Sequence, residues 1–301
     1  MSRLLGASTL LLVCALSVGA PAQTPLERGK YLMETIVACG NCHTPQTPNG
    51  PEPGRELVGG TPFEEPFGIA YAPNITSDKT TGIGDWTDAQ IIAAIREGKR
   101  PDGSIIGPPM PIALYRGISD SDAKAIVANL RQVKPVSNEV PKSHYKVPLP
   151  PDYGPPVGKV ATPSPKDKLA YGAYLAGALG HCIECHSTPD AKGIPDFLKM
   201  TGGGGLSFNG PWGISYAPNI TPTGIDKWTD AQIKTAITSG VRPDGLPLLQ
   251  GHPAVRPRRH HRLPAHAEAA LTRRRQTGSG PLRIDWGQAG SDSQAGQLGR
   301  G

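Results

Sequence analysis

Two cysteines separated by two residues and followed at once by histidine occur twice in this chain, at Cys39-Gly40-Asn41-Cys42-His43 and at Cys182-Ile183-Glu184-Cys185-His186. The spacing has a chemical reason. On a short helical turn the two sulfurs face one way and can form thioethers with the two vinyl groups of one porphyrin. The next residue then places its imidazole under the iron as the proximal ligand. Half of a zinc site, a redox dithiol or a structural disulfide would use the same residues. A second motif, set in a second copy of the same surrounding sequence, argues against all three. The expectation is two covalent haems, attached at Cys39, Cys42, Cys182 and Cys185, with His43 and His186 on the metal.

The repeat extends well beyond the cysteines. Tyr71-Ala72-Pro73-Asn74-Ile75-Thr76 returns as Tyr216 to Thr221, Trp86-Thr87-Asp88-Ala89-Gln90-Ile91 as Trp228 to Ile233, and Arg100-Pro101-Asp102-Gly103 as Arg242 to Gly245. This density means duplication of one haem module. A chain of 301 residues accommodates two domains at roughly 150 residues each. Aromatic residues are only 5% of the chain, against 38 Gly and 33 Pro. That suits small, loop-rich units whose core is largely the cofactor itself.

Residues 1–22 read as a secretory signal: Arg3, an apolar stretch from Leu10 to Val18, and Ala20-Pro21-Ala22 as a cleavage site. Cys14 is part of that leader. The net charge of +6 is unevenly spread: nine arginines and three acids fall in 251–301 and Arg3 in the leader, leaving 21 basic and 22 acidic residues between them. A body with net charge −1 offers no basic face for nucleic acid.

Residues 23–135 form the first expected domain. Pro25 to Leu32 opens it as a helix. Thr87 and Gln90 have the spacing of a capping box before a helix with Ile91, Ile92 and Ile95 on one face and Gly98 as its stop. Ser119 begins a last helix with Ala123, Ile126, Val127 and Leu130 on one face. Three helices, long irregular loops and no alternating strands predict an all-α domain around a haem. Residues 136–166, rich in Pro, form an extended linker packed over the domains, and residues 167–250 the second domain. After Gln250 the repeat stops, so the second closing helix is missing. Residues 251–301 read either as the product of a reading-frame shift near codon 250 or as a natural disordered tail.

An electron-carrying haem iron needs a sixth ligand, and methionine thioether is the usual one in cytochromes c. Met110, in the proline-braced loop Gly107-Pro108-Pro109-Met110-Pro111, is the candidate; Met33 is a core residue on the opening helix. In the second copy the ungapped counterpart of Met110 is His252, followed by Pro253. A His–His haem is one reading there. An accidental histidine in a stretch holding four of the chain's eight is the other, and it is preferred. Met200 precedes the Gly202-Gly203 loop and does not align with Met110. His181 is read as a surface residue. Asn74 and Asn219 can bond a haem propionate or cap a turn, and Trp86 and Trp228 are read as core residues.

The combination of Cys39-Gly40-Asn41-Cys42-His43-Thr44-Pro45, Gly59-Gly60, the Tyr71 to Thr76 run, Thr81 to Ile91 and Pro108 to Pro111 resembles the class I cytochrome c modules. It is similar in particular to the cytochrome c subunits of bacterial membrane-bound alcohol, aldehyde and gluconate dehydrogenases and their dihaem relatives. The resemblance covers about Pro25 to Pro135 and Lys168 to Leu249. It implies a periplasmic protein, associated with the membrane through a complex, that carries electrons from a dehydrogenase towards quinone or a terminal oxidase, with no catalytic residue of its own. The alternative is a haem enzyme, such as a dihaem peroxidase or a thiosulfate-oxidising protein.

Overall fold

The computed structural model describes residues 23–248, apart from Lys192, Leu198, Pro211 and Trp212. The readings of residues 1–22, of Cys14, of His252 and of 251–301 lie outside the described residues. No described helix is long and apolar enough to cross a membrane.

Helix α1 (Pro25–Tyr31) starts where the sequence allows it to. The Thr24 hydroxyl accepts from the Glu27 amide and the Glu27 carboxylate returns to the Thr24 amide, with Pro25 inside the first turn, where its missing N–H is not needed. The chain widens into one π-helical turn, Leu32–Ile36, and then re-forms as the short helix α2 (Gly40–His43). Helix α3 (Asp88–Glu97) has the Thr87/Gln90 capping box and ends on Gly98 in the left-handed region. A single turn, α4 (Ile112–Tyr115), precedes α5 (Asp120–Leu130), which is capped by Ser119. Helices α1 and α5 cross at Gly29, where a Cβ would lie 1.8 Å from the Ala125 carbonyl oxygen. Only glycine permits that approach.

The second copy repeats the series. Helix α6 (Lys168–Tyr174), a π turn (Leu175–Leu179), α7 (Cys182–His186), α8 (Pro222–Ile225) and α9 (Asp230–Ser239) follow in order, the last with the capping box Thr229/Gln232 and a left-handed Gly240.

The all-α expectation is met only in part, because the described residues also contain short strands. Gln46–Thr47 (β1) pairs with Gly50–Pro51 (β2). Pro62–Glu65 (β3) and Gly68–Tyr71 (β4) form a hairpin to which His144–Tyr145 (β5) adds a third strand. Ser207–Gly210 (β6) and Gly213–Tyr216 (β7) repeat the hairpin, with Ser207 opposite Tyr216 as Pro62 is opposite Tyr71. These strands escape pattern reading because they are only two to four residues long, too short to set up a readable alternation.

The two copies share one core. Tyr171, Tyr174, Ala178 and Leu179 of the second copy are buried in the same cluster as Leu32, Ile118, Ile126 and Val127 of the first. At its polar edge the Asp122 carboxylate is bridged by both arms of Arg28, at 2.8 Å each, and accepts from the Tyr174 hydroxyl at 2.8 Å. The Tyr174 oxygen in turn accepts from the Ser119 amide at 3.1 Å. Every buried charge at this junction is thereby paired. Burial first, and the Asp122 carboxylate second, raise the Tyr174 phenol above its ordinary pKa, so it stays a donor. Tyr174→Phe keeps the ring and removes the bond to a buried carboxylate. It is expected to lower the stability of the holoprotein by about 1.5–3 kcal/mol, read from the midpoint of chemical unfolding.

Candidate haem sites

Each CxxCH turn is prepared by the same backbone device. Directly before the first cysteine a non-glycine residue turns left-handed: Ala38 at φ 50° and His181 at φ 38°. This conformation disfavours any side chain by about 1–2 kcal/mol, and it persists because packing on both sides dictates it. It breaks the opening helix and starts the short one, on which the His43 amide bonds the Cys39 carbonyl at 3.0 Å.

The histidines are oriented identically. His43 Nδ1 lies 2.8 Å from the Pro73 carbonyl oxygen and His186 Nδ1 lies 2.8 Å from the Pro218 carbonyl oxygen. A carbonyl can only accept, so Nδ1 carries the proton in both rings and Nε2 is left with the lone pair that a metal takes. Burial, partly offset by the Pro73 bond, lowers the His43 pKa and keeps the imidazole neutral, as a ligand must be.

The proline carbonyls are held in turn. The Asn74 side-chain oxygen accepts from the Thr76 amide (2.9 Å) and hydroxyl (2.8 Å), and Asn219 does the same to Thr221. In the structure the side-chain oxygens of both asparagines cap turns. Gly59 returns its amide to the His43 carbonyl at 2.8 Å, and Gly204 to that of His186 at 2.6 Å. A Cβ on Gly59 would lie 2.4 Å from the Pro73 carbonyl carbon, and one on Gly204 would lie 2.6 Å from the Asn219 amide nitrogen. The counterparts of Gly59-Gly60 are therefore Gly204-Gly205, with matching positive φ of 73° and 95° against 74° and 98°.

The four cysteines are free of disulfides. Burial pushes the Cys39 thiol up to about 12; burial, then Glu184, pushes Cys185 up to about 12. A redox dithiol wants the opposite shift, and among the described residues no group of three or more His, Cys, Asp or Glu could hold a metal ion. The donor set fits a haem attached through sulfur and bound by one imidazole.

Met110 is half-buried between the shared core and a second cluster of Ala94, Ile106 and Ile112, with Trp86 packed against both. Met33, in the π turn, is buried, and its sulfur accepts from the Asn129 side-chain amide of α5 at 3.2 Å. Met200 is 47% exposed. Trp228 is half-buried.

His181 is not simply a surface residue. Its ring meets Tyr115 of the first copy edge-on, with centroids 5.9 Å apart, and its Nδ1 lies 3.2 Å from Glu184. A Cβ on Gly180 would lie 3.3 Å from Ile36. The Glu184 carboxylate raises the Cys42 thiol, second to the effect of burial. The two attachment turns are neighbours across the junction. No signal in the sequence announced this, because the contact joins residues of two different repeats.

No protein-family profile matches the chain. A diheme cytochrome c-type protein of Cereibacter sphaeroides is 30% identical over 216 residues, which cover 68% of this chain and 70% of that protein. The chain belongs to the c-type cytochromes. The fructose dehydrogenase cytochrome subunit of Gluconobacter japonicus is 32% identical over 79% of this cytochrome and 52% of its own length. The cytochrome c subunit of a quinone alcohol dehydrogenase from Gluconacetobacter polyoxogenes is 32% identical over 73% and 50%. The cytochrome thus spans about half the length of these two subunits.

Gly59→Ala places a side chain against Pro73 and onto a positive φ. It is expected to destabilise the first site by about 2–4 kcal/mol. In peptide mass mapping, haem should be depleted at Cys39 and Cys42 and retained at Cys182 and Cys185.

Proposed function

We propose that this cytochrome is a periplasmic dihaem electron carrier, with one haem per copy. It takes electrons from a dehydrogenase and passes them towards quinone or an oxidase, and it is held at the membrane through the complex it joins. The observation that carries the reading is the doubled imidazole geometry. Two CxxCH turns present histidines fixed in the same tautomer by equivalent proline carbonyls, Pro73 and Pro218, side by side on one core. The bound haem supplies one-electron chemistry at its iron.

This chain's own residues do the rest. Cys39, Cys42, Cys182 and Cys185 would anchor the two haems, and His43, His186 and Met110 would be the residues that bind iron. The junction of Tyr115, His181 and Glu184 keeps the two turns adjacent, so that an electron need not leave the chain to pass between them. The dehydrogenase partner is supported by the named relatives, several of which are cytochrome subunits of dehydrogenases.

One observation favours a second reading. Met200, the only methionine described in the second copy, is 47% exposed. A second iron lacking a sixth ligand would permit peroxide chemistry.

The holoprotein made with the haem-attachment machinery is expected to have the intact mass of the chain plus two haems and to titrate in two one-electron steps. A single haem would remove the dihaem reading. Sustained peroxide turnover by the reduced protein would favour the enzyme.

A further inference from the structure

Three of the five residues from Gly107 to Pro111 are prolines. Proline has no backbone N–H, so within this loop only Gly107 and Met110 can donate from the main chain. Such a loop cannot stiffen itself with its own ladder and has to be held through its carbonyls and by packing. On one flank the Ile106 amide bonds the Gly98 carbonyl at 2.7 Å, and on the other the Met110 carbonyl accepts from the Ile112 amide at 2.8 Å and the Pro111 carbonyl from the Leu114 and Tyr115 amides at 3.0 Å, at the start of α4. Between those ties, the hydroxyls that reach it come from the linker.

The Tyr153 hydroxyl donates to the Ile106 carbonyl at 2.8 Å and the Tyr145 hydroxyl to the Pro108 carbonyl at 3.0 Å. The Tyr145 ring and Leu149 fill the space beside Gly107, where a Cβ would meet them at 2.6 and 2.7 Å. Both tyrosines are themselves anchored. Tyr145 sits in β5, paired with Gly68 of β4 and 6.1 Å from the Phe67 ring. Tyr153 packs its ring on Gly98, and just beyond it Arg116 donates to the Pro155 carbonyl at 2.5 Å. Further along, the Val157 amide reaches Glu97 at 2.9 Å. At the other end of the linker, Asn138 donates to the Val58 carbonyl at 2.8 Å, away from the loop.

We infer that residues 144–157 are a clamp on the Met110 loop, and that Tyr145 and Tyr153 are positioning residues that hold the Met110 thioether in place as the sixth ligand of the first haem. The inference rests on the reading of Met110 as that ligand. A thioether is a neutral, soft donor that other ligands displace readily from ferric iron, so its hold depends on how little freedom the loop has to leave. The linker is thus a part of the first site, although it follows the helix that closes the first copy.

The test uses the full-length ferric holoprotein and its thioether-to-iron charge-transfer band, titrated with imidazole as the competing ligand. Four variants are compared with the parent: Met110→Ala, Tyr145→Phe, Tyr153→Phe and the double Tyr145→Phe/Tyr153→Phe. Met110→Ala should abolish the band. Each single tyrosine variant should lower the imidazole concentration that bleaches it by about three- to tenfold. The double variant should lower it further, together with the reduction potential of that haem. Asn138→Ala, which removes a linker bond remote from the loop, should leave the imidazole midpoint unchanged.

If Met110→Ala abolishes the band while the double variant titrates like the parent, the clamp is overturned and the ligand reading survives. An equal shift in Asn138→Ala would also overturn it, because the linker would then act only through general stability. A band that survives Met110→Ala would remove the ligand reading and the clamp with it.

Discussion

A histidine offers one ring nitrogen to a metal reliably only when something else holds the other, and in this chain that something is a proline carbonyl. From this single constraint much of the irregular structure follows. The Pro73 and Pro218 carbonyls must face the imidazole, so Asn74 and Asn219 bend the chain behind them into side-chain-capped turns. The backbone from His43 and from His186 must pass close to those prolines, so Gly59 and Gly204 stand where a Cβ has no room. The short helix must leave the opening helix at the right point, so Ala38 and His181 take a conformation that other residues avoid. The loops are irregular because they are built around one hydrogen bond, twice.

Duplication gives the molecule an internal control. At Gly29 the first opening helix touches α5, whereas at Gly172, its counterpart, a Cβ would meet nothing within 4 Å of the described residues. The same holds for the hairpins. Gly68 is crowded by the His144 carbonyl, but Gly213 has open space, and Ile214 and Tyr216 are 62% and 65% exposed. The residue types are retained in the second copy while the elements that would cover them are absent from the described region. Stability in the second copy therefore leans on the shared junction, where Tyr174 and Leu179 enter the core of the first.

That junction also fixes where the two CxxCH turns lie. Two independent haem modules on a linker would leave the distance between their attachment turns to chance. Here the π turn and α7 of the second copy are seated against Tyr115 and Ile36, so the turns are set side by side by side-chain packing and by the Arg28–Asp122–Tyr174 network.

Local structure was legible in the sequence. Cys39 to His43 and Cys182 to His186, the capping boxes at Thr87 and Thr229 and the stop at Gly98 each depend on a few adjacent residues, and the duplication on a comparison of the chain with itself. Tertiary structure alone decided the rest. Pro73 shows nothing in its residue type of the imidazole its carbonyl will hold, since a backbone oxygen is the same in every residue. His181 reads as a surface residue until Tyr115 is brought to it. Tyr145 and Tyr153 read as parts of a linker until their hydroxyls meet Pro108 and Ile106. The physical reason is common to all three: periodicity and spacing report short-range geometry, whereas these contacts join residues 30 to 66 positions apart, and only the folded chain brings them together.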